Sequence, residues 1–280
     1  MNGGPGAEAG ASVTSVRSVT EGRFSTGLPY LKMGQGPPLV MASGLSAQHA
    51  NPTGVWRRMA LCWMAPFAEH FTAYLVNRRP GLATGATMAD IAADYAGAIE
   101  RDLGRPALVH GTSTGGSVAF QLAIDHPLLV QRLVVSAAAC RLDPQARTVM
   151  TEVARLTEAG DGRRAMALLT ETLAPRALAY PARGMGWLAG GGFAGDDPSD
   201  QVITIIAENG FDAEPELGRI QAPTLVLGGG ADPFYSEDLF RRTAAGIPHG
   251  RAVVLPRKSH GHVAGSRAAA GIGLGFLIGG

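Results

Sequence analysis

The stretch Pro106-Ala107-Leu108-Val109-His110-Gly111-Thr112-Ser113-Thr114-Gly115-Gly116 decides how the rest of this chain is read. Its second half matches Gly-x-Ser-x-Gly, a sharp strand-to-helix turn that presents a serine hydroxyl at the top of a parallel sheet. The match alone carries little weight. Glycine fills 39 of 280 positions, so a random chain of this composition would contain roughly 0.25 such matches, and context has to decide. The context is present. Ala107-Leu108-Val109 is short, apolar and bounded by Pro106, as a buried parallel strand is. Residues 116–124 supply helix formers with apolar positions at 118, 119 and 122. A turn this tight needs glycine wherever a Cβ would clash or φ is positive.

Working outward, strand and helix signals alternate on both sides. Toward the N-terminus, Leu28 to Met33 alternates weakly before the turn residues 34–38. Leu39-Val40-Met41-Ala42 is a continuous apolar run that opens into Ser43-Gly44-Leu45-Ser46. Val55 to Phe67 predicts a helix, with Trp56, Met59, Ala60, Trp63 and Phe67 recurring at spacings of three and four. Thr72 to Val76 is a further strand. Thr87-Met88-Ala89-Asp90 resembles a capping box, and Met88, Ile91, Tyr95, Ile99 and Leu103 keep one face of the following helix apolar. Gly104-Arg105-Pro106 stops it. Beyond the central stretch, Asp125-His126-Pro127 breaks the next helix, and Val130 to Ala137 is a strand. Strand, helix, strand, helix with short loops predicts a mostly parallel, doubly wound α/β sheet.

The alternation lapses from Arg141 to Ile220, where no clear strand signal occurs. Residues 149–156, 163–173 and 199–209 read as helices, and 182–197 as a glycine-rich stretch holding Met185, Trp187, Leu188 and Phe193. An excursion this long is not a simple connection inside a compact domain, and it reads as an inserted helical lid. Strands return at 223–227 and 251–255 around a helix at 237–245, followed by a Gly/Ala-rich final helix. The expected organisation is a core of residues 15–140 and 221–280, a lid insertion of 141–220 and a disordered tail of 1–14. That tail lacks a basic segment followed by an apolar core, so it does not read as a signal peptide.

Composition narrows the function classes. A net charge of +1 gives no electrostatic footprint for nucleic acid or an anionic membrane. No apolar run reaches the ~18 residues that a membrane-spanning helix needs. Two cysteines, Cys62 and Cys140, suggest no disulfide framework and fit a reducing, cytoplasmic location. Nothing in the composition fixes an oligomeric state.

A serine hydroxyl is a poor nucleophile at neutral pH. It needs a base to take its proton, and the base needs a partner that fixes its tautomer. In chain order the sequence offers Ser113, Asp232 and His260, each placed after a strand signal. In a parallel sheet such positions meet at one edge, where ligands bind. His262 and His249 are rivals for the base, and Asp143 for the acid. Asp232 has a plainer reading as a turn residue before Pro233. His110 reads as a packing residue. Arg78 and Arg79 read as a solvated or salt-bridged pair, with binding of an acidic substrate group as the alternative.

The elbow at 110–116, Gly228-Gly229-Gly230-Ala231-Asp232, the Leu255 to His260 segment and the insertion between them resemble the α/β-hydrolase superfamily. Within it the chain is similar to small, lidded bacterial serine carboxylesterases. The triad order Ser, Asp, His matches that family. The resemblance implies a hydrolase with no metal or organic cofactor, acting on a small-molecule ester. It also implies an oxyanion hole built from the backbone amides of Thr114 and Leu45. Gly44, Met185, Trp187 and Phe193 are expected at the substrate. The His-Gly pair many members carry after the strand at 39–42 is Ser43-Gly44 here. The Asp-x-Arg-Gly-x-Gly-x-Ser loop of many members is replaced by Asn77-Arg78-Arg79-Pro80-Gly81, and Ser259 stands where glycine is commoner. These departures blur the substrate class. Lactonase, amidase, thioesterase, perhydrolase and carbon–carbon hydrolase chemistry share the triad, and a ligand-binding member without turnover is the alternative from another class.

Overall fold

A computed structural model of the chain describes residues 18–174, 176–195 and 197–279, so the expected tail of 1–14 lies outside the described residues. Eight strands form one sheet: β1 (Val19–Arg23), β2 (Pro29–Met33), β3 (Pro38–Ala42), β4 (Thr72–Val76), β5 (Ala107–Thr112), β6 (Val130–Ser136), β7 (Thr224–Gly229) and β8 (Gly250–Leu255). Their order is β1-β2-β4-β3-β5-β6-β7-β8. The first two strands pair antiparallel at one edge, and every pairing from β4 to β8 is parallel. This is the α/β-hydrolase fold that the motif pattern implied.

The central strands explain their own composition. Every residue of β3, β5 and β7 is buried, because helices cover both faces and leave no side for polar alternation. Helices α1 (Gly54–Met64) and α10 (Arg267–Ile278) contribute to one apolar cluster with Leu39, Met41, Leu108 and Val134. Helices α2 (Met88–Ala98), α3 (Thr114–Asp125) and α8 (Glu237–Ala245) bury their apolar faces in the other, with Val40, Val109 and Val135. The capping box is present: Asp90 N–H donates to Thr87 Oγ1, and Thr87 N–H donates to Asp90 Oδ2. After α2 a π-helical turn runs over Ile99–Leu103 and ends at Gly104, where φ is 62°. Only glycine adopts that conformation without steric cost.

Between β6 and β7 stand α4 (Pro144–Glu158), α5 (Gly162–Leu173), α6 (Ala179–Ala189) and α7 (Ser199–Gly210). The two ends of this excursion meet. Ala213 N–H donates to Cys140 O (2.8 Å), and the Arg141 guanidinium binds the carboxylates of Asp212 and Glu214. Cys140, Asp212 and Glu214 bring three ligand-type atoms within 4.8 Å of one another, but that arginine already satisfies both carboxylates.

Three elements differ from the sequence expectation. Strand β1 has no counterpart there, because Val-Thr-Glu-Gly-Arg at a sheet edge buries almost nothing and leaves no apolar signal. Helix α6 overlaps the glycine-rich stretch of 182–197, where no helix was expected. Its Gly186 is a packing device: a Cβ there would run into Thr170 Oγ1 and the Met166 carbonyl of α5. The final helix is two, α9 (His260–Gly265) and α10, divided at Ser266, whose hydroxyl caps Ala269 N–H at 3.2 Å.

Candidate active site

Three strand ends at one edge of the sheet deliver three side chains to one place. Ser113 follows β5 and starts α3 with φ 53° and ψ −126°. A non-glycine residue at such angles stores strain of about 1–3 kcal/mol and persists only where its surroundings hold it. Ser113 N–H donates to Ser136 O (3.0 Å), and Gly116 N–H donates to Ser113 O (2.6 Å). The glycines make room for the turn. A Cβ on Gly115 would collide with the carbonyl oxygens of Ala42 and Ser43, and one on Gly111 with the Gly115 carbonyl. Changing Gly115 to alanine is therefore expected to destabilise the fold by about 3 kcal/mol, the upper range of overpacking, read as a lower urea midpoint.

Asp232 follows β7. Its Oδ1 accepts from Phe234 N–H (2.9 Å), so the turn role is real, and its Oδ2 lies 2.9 Å from His260 Nδ1. His260 opens α9 after β8, and its Nε2 lies 3.0 Å from Ser113 Oγ. The Asp232 side chain is fully buried, His260 nearly so, and Ser113 is partly exposed. Phe234 meets the imidazole edge-on at 5.0 Å, and Tyr235 lies nearly parallel to it at 6.2 Å. With the proton on Nδ1 facing Asp232, Nε2 is left as an acceptor for the serine hydroxyl. The rival Asp143 is occupied elsewhere: its Oδ2 accepts from Ser236 N–H at 2.5 Å, and its amide donates to Phe234 O at 3.1 Å. It anchors the loop that carries Asp232.

Residues 83–263, more than half of the chain, match the serine aminopeptidase S33 family. The chain belongs to this family of α/β hydrolases. Among solved structures it is similar to MGS-M2, an α/β hydrolase from a Medee basin deep-sea metagenome library, at 14% identity and a TM-score of 0.73, covering 90% of this chain and 93% of that one. The enol-lactonase from Burkholderia xenovorans gives 19%, 0.71, 92% and 99% in the same order. Carboxylesterase CesB from Bacillus subtilis gives 20%, 0.70, 94% and 92%. At these identities the likeness is one of fold.

In this S33 hydrolase the loop after β3 abuts the elbow. A Cβ built on Gly44 would stand 3.5 Å from that of Ser113, so Gly44 flanks the serine. Leu45 N–H donates to no group among the described residues. Thr114, as the first residue of α3, has no intrahelical acceptor for its amide.

Two charged residues at this S33 site carry no sequence signal for the place they take. Glu208, on α7, is buried and accepts hydrogen bonds from Thr114 Oγ1 (2.8 Å) and Ser117 Oγ (3.1 Å). Burial pushes its carboxyl above the usual range, against the pull of those two hydroxyls and Arg78. Arg78 is fully buried and bonds the loop after β3 (Ser43 O, Gly44 O and Ser46 Oγ) and His49. Arg79 is the salt-bridged member of the pair, 2.6 Å from Asp94.

The expected lid residues separate. Phe193 packs against the main apolar cluster. Met185 is 71% exposed on α6. Trp187 lies under the Arg163 guanidinium at 4.7 Å and lines a cavity of about 540 Å³ with Leu156, Leu168 and Tyr180. None of Ser113, Asp232 and His260 lines it. Trp187 thus stands, half-exposed, beside residues of α4 and α5. Cys62 is exposed, Cys140 buried, and both are free. Among the described residues no helix is long and apolar enough to cross a membrane.

Two buried histidines of this S33 chain set a pH dependence of stability. Burial lowers His110 to about 4, and burial together with Arg78 lowers His49 to about 4, from an ordinary 6.5. Between those values the unfolded chain holds the extra protons. Their stabilising contribution is complete above pH 6.5 and lost as pH falls toward 4, by up to about 1.4 kcal/mol per pH unit for each histidine. Glu208, shifted upward, acts in the opposite direction. Urea midpoints at pH 7 and pH 5 should therefore fall less in His110→Gln than in the wild type. Equal declines would exclude His110 as a source.

Proposed function

We propose that this S33 hydrolase cleaves a carboxylic ester of a small or medium apolar substrate through an acyl-enzyme. The observation that supports this most strongly is the Ser113, His260 and Asp232 relay, with contacts of 3.0 and 2.9 Å. Ser113 attacks the carbonyl while His260 takes its proton. The imidazolium then protonates the leaving alcohol, and Asp232 holds the ring and balances its charge. A water activated by the same His260 releases the acid. The amides of Leu45 and Thr114 receive the developing oxyanion, each worth a few kcal/mol of barrier. Residues 141–220 act as a lid on a core of 15–140 and 221–280, and Gly44 lines the acyl side. Two free cysteines favour a reducing, cytoplasmic setting.

The test is a time course on p-nitrophenyl esters of increasing acyl length, beside a lactone, a thioester and an anilide. Sustained ester turnover with a preference for short or medium chains is the expected result. One equivalent of product followed by arrest would instead identify a ligand-binding member of the fold. Faster turnover of the lactone, thioester or anilide would replace the ester assignment.

A further inference from the structure

Arg78 heads the largest fully buried side chains among the described residues, and no carboxylate there lies within ion-pair distance of it. Burying a cation costs several kcal/mol unless hydrogen bonds and charge repay it, and an apolar residue of similar volume often serves the fold as well. Four of its five N–H groups are used on one target region. Nη1 donates to Ser43 O, Nη2 to Gly44 O and to Ser46 Oγ, and Nε to His49 Nε2, all at 3.1 Å. His49 Nδ1 in turn donates to Arg79 O at 2.9 Å, which fixes the tautomer that can accept from Arg78. Asn77 completes the clasp, giving Nδ2 hydrogen bonds to Gln48 O and Ala50 O.

The carbonyl of Gly44 belongs to the same peptide unit as the Leu45 N–H. A trans peptide is planar, with its C=O and N–H on opposite sides. Pinning Gly44 O on the Arg78 side turns the Leu45 N–H to the other, while Gly44 itself stands against Ser113. A charged donor on the carbonyl oxygen also polarises the amide, making its N–H a stronger donor.

We infer that Arg78 is a positioning residue for acyl transfer, whose guanidinium orients and polarises the Gly44–Leu45 peptide so that the Leu45 N–H meets the oxyanion. The inference rests on the reading of Leu45 as an oxyanion donor. Arg78 touches no reacting atom; its effect passes through one peptide group. That effect should belong to the tetrahedral state and not to the bound ester.

The experiment compares the wild type, Arg78→Met and Arg78→Lys by kcat, KM, affinity for a trifluoromethyl ketone that forms a tetrahedral adduct, and thermal midpoint. Arg78→Met should lower kcat about 10²-fold, the scale of losing one oxyanion donor, with KM within about twofold. Ketone affinity should fall in parallel with kcat. Arg78→Lys keeps the charge but not the fork, so it should fall between the two. If Arg78→Met does not fold, Arg78→Lys carries the same comparison. A lower midpoint with unchanged kcat and ketone affinity would overturn the role of Arg78 alone, leaving acyl transfer intact. A wild type that neither hydrolyses ester nor binds the ketone would overturn the acyl-transfer reading, and this inference with it.

Discussion

Replacing Ser113 by alanine is expected to lower kcat for an ester by about 10⁶-fold, and His260→Ala by about as much, because the two act as a unit. The geometry gives the reason. His260 Nε2 has the Ser113 hydroxyl as its partner at 3.0 Å, and the hydroxyl has no other base among the described residues. Removing either leaves an unactivated nucleophile or a base with nothing to deprotonate. The double variant should therefore be no slower than either single one. The residual rate, about 10³-fold or more over water, would come from the two amides and from binding. The thermal midpoint of Ser113→Ala should barely move, since Ser113 contributes backbone angles and not side-chain packing, whereas His260→Ala should lower it by leaving the buried Asp232 carboxylate without its partner. Steady-state kinetics on the three variants checks this, and multiplicative losses would contradict it.

Asp232→Asn should cost about 10⁴-fold in kcat with the fold retained. The carboxylate accepts the Nδ1 proton. An asparagine amide would donate there instead, move the imidazole proton to Nε2 and point it at the serine. The side-chain carbonyl of that asparagine would still accept from Phe234 N–H, as Asp232 Oδ1 does, so the turn survives. Asp143→Asn is the matched control. Its carboxylate bonds Ser236 N–H and not His260, so kcat should stay within about twofold. A large loss at Asp143 with a small one at Asp232 would reassign the acid.

The legible part of this protein is the part set by local order. Buried strands wrote themselves as apolar runs at Leu39 to Ala42, Ala107 to Val109 and Thr224 to Leu227, and each candidate triad residue followed a strand signal. Once the strands are parallel, their ends converge, and the contacts between Asp232, His260 and Ser113 follow from topology. What stayed hidden depends on partners distant in sequence. Arg78 reaches a carbonyl 34 residues back, and Glu208 meets Thr114 across 94 residues. Neither leaves a trace in periodicity. Arg78 instead lay inside a stretch that departs from the family's usual motif, and that stretch clasps the loop after β3. The places of Trp187 and Met185 were hidden for a different reason. In a segment rich in glycine there is no helical period to show which face an aromatic takes, and Trp187 stands half-exposed on α6 beside residues of α4 and α5.

Whether Ser113 is the nucleophile of an acyl transfer is tested by treatment with an alkyl fluorophosphonate, followed by peptide mass spectrometry and residual ester turnover on the same samples. The expected outcome is a single adduct on the peptide containing Ser113, turnover lost in proportion to labelling, and no labelling in His260→Ala. An adduct on another residue, or full turnover by fully labelled protein, would contradict it.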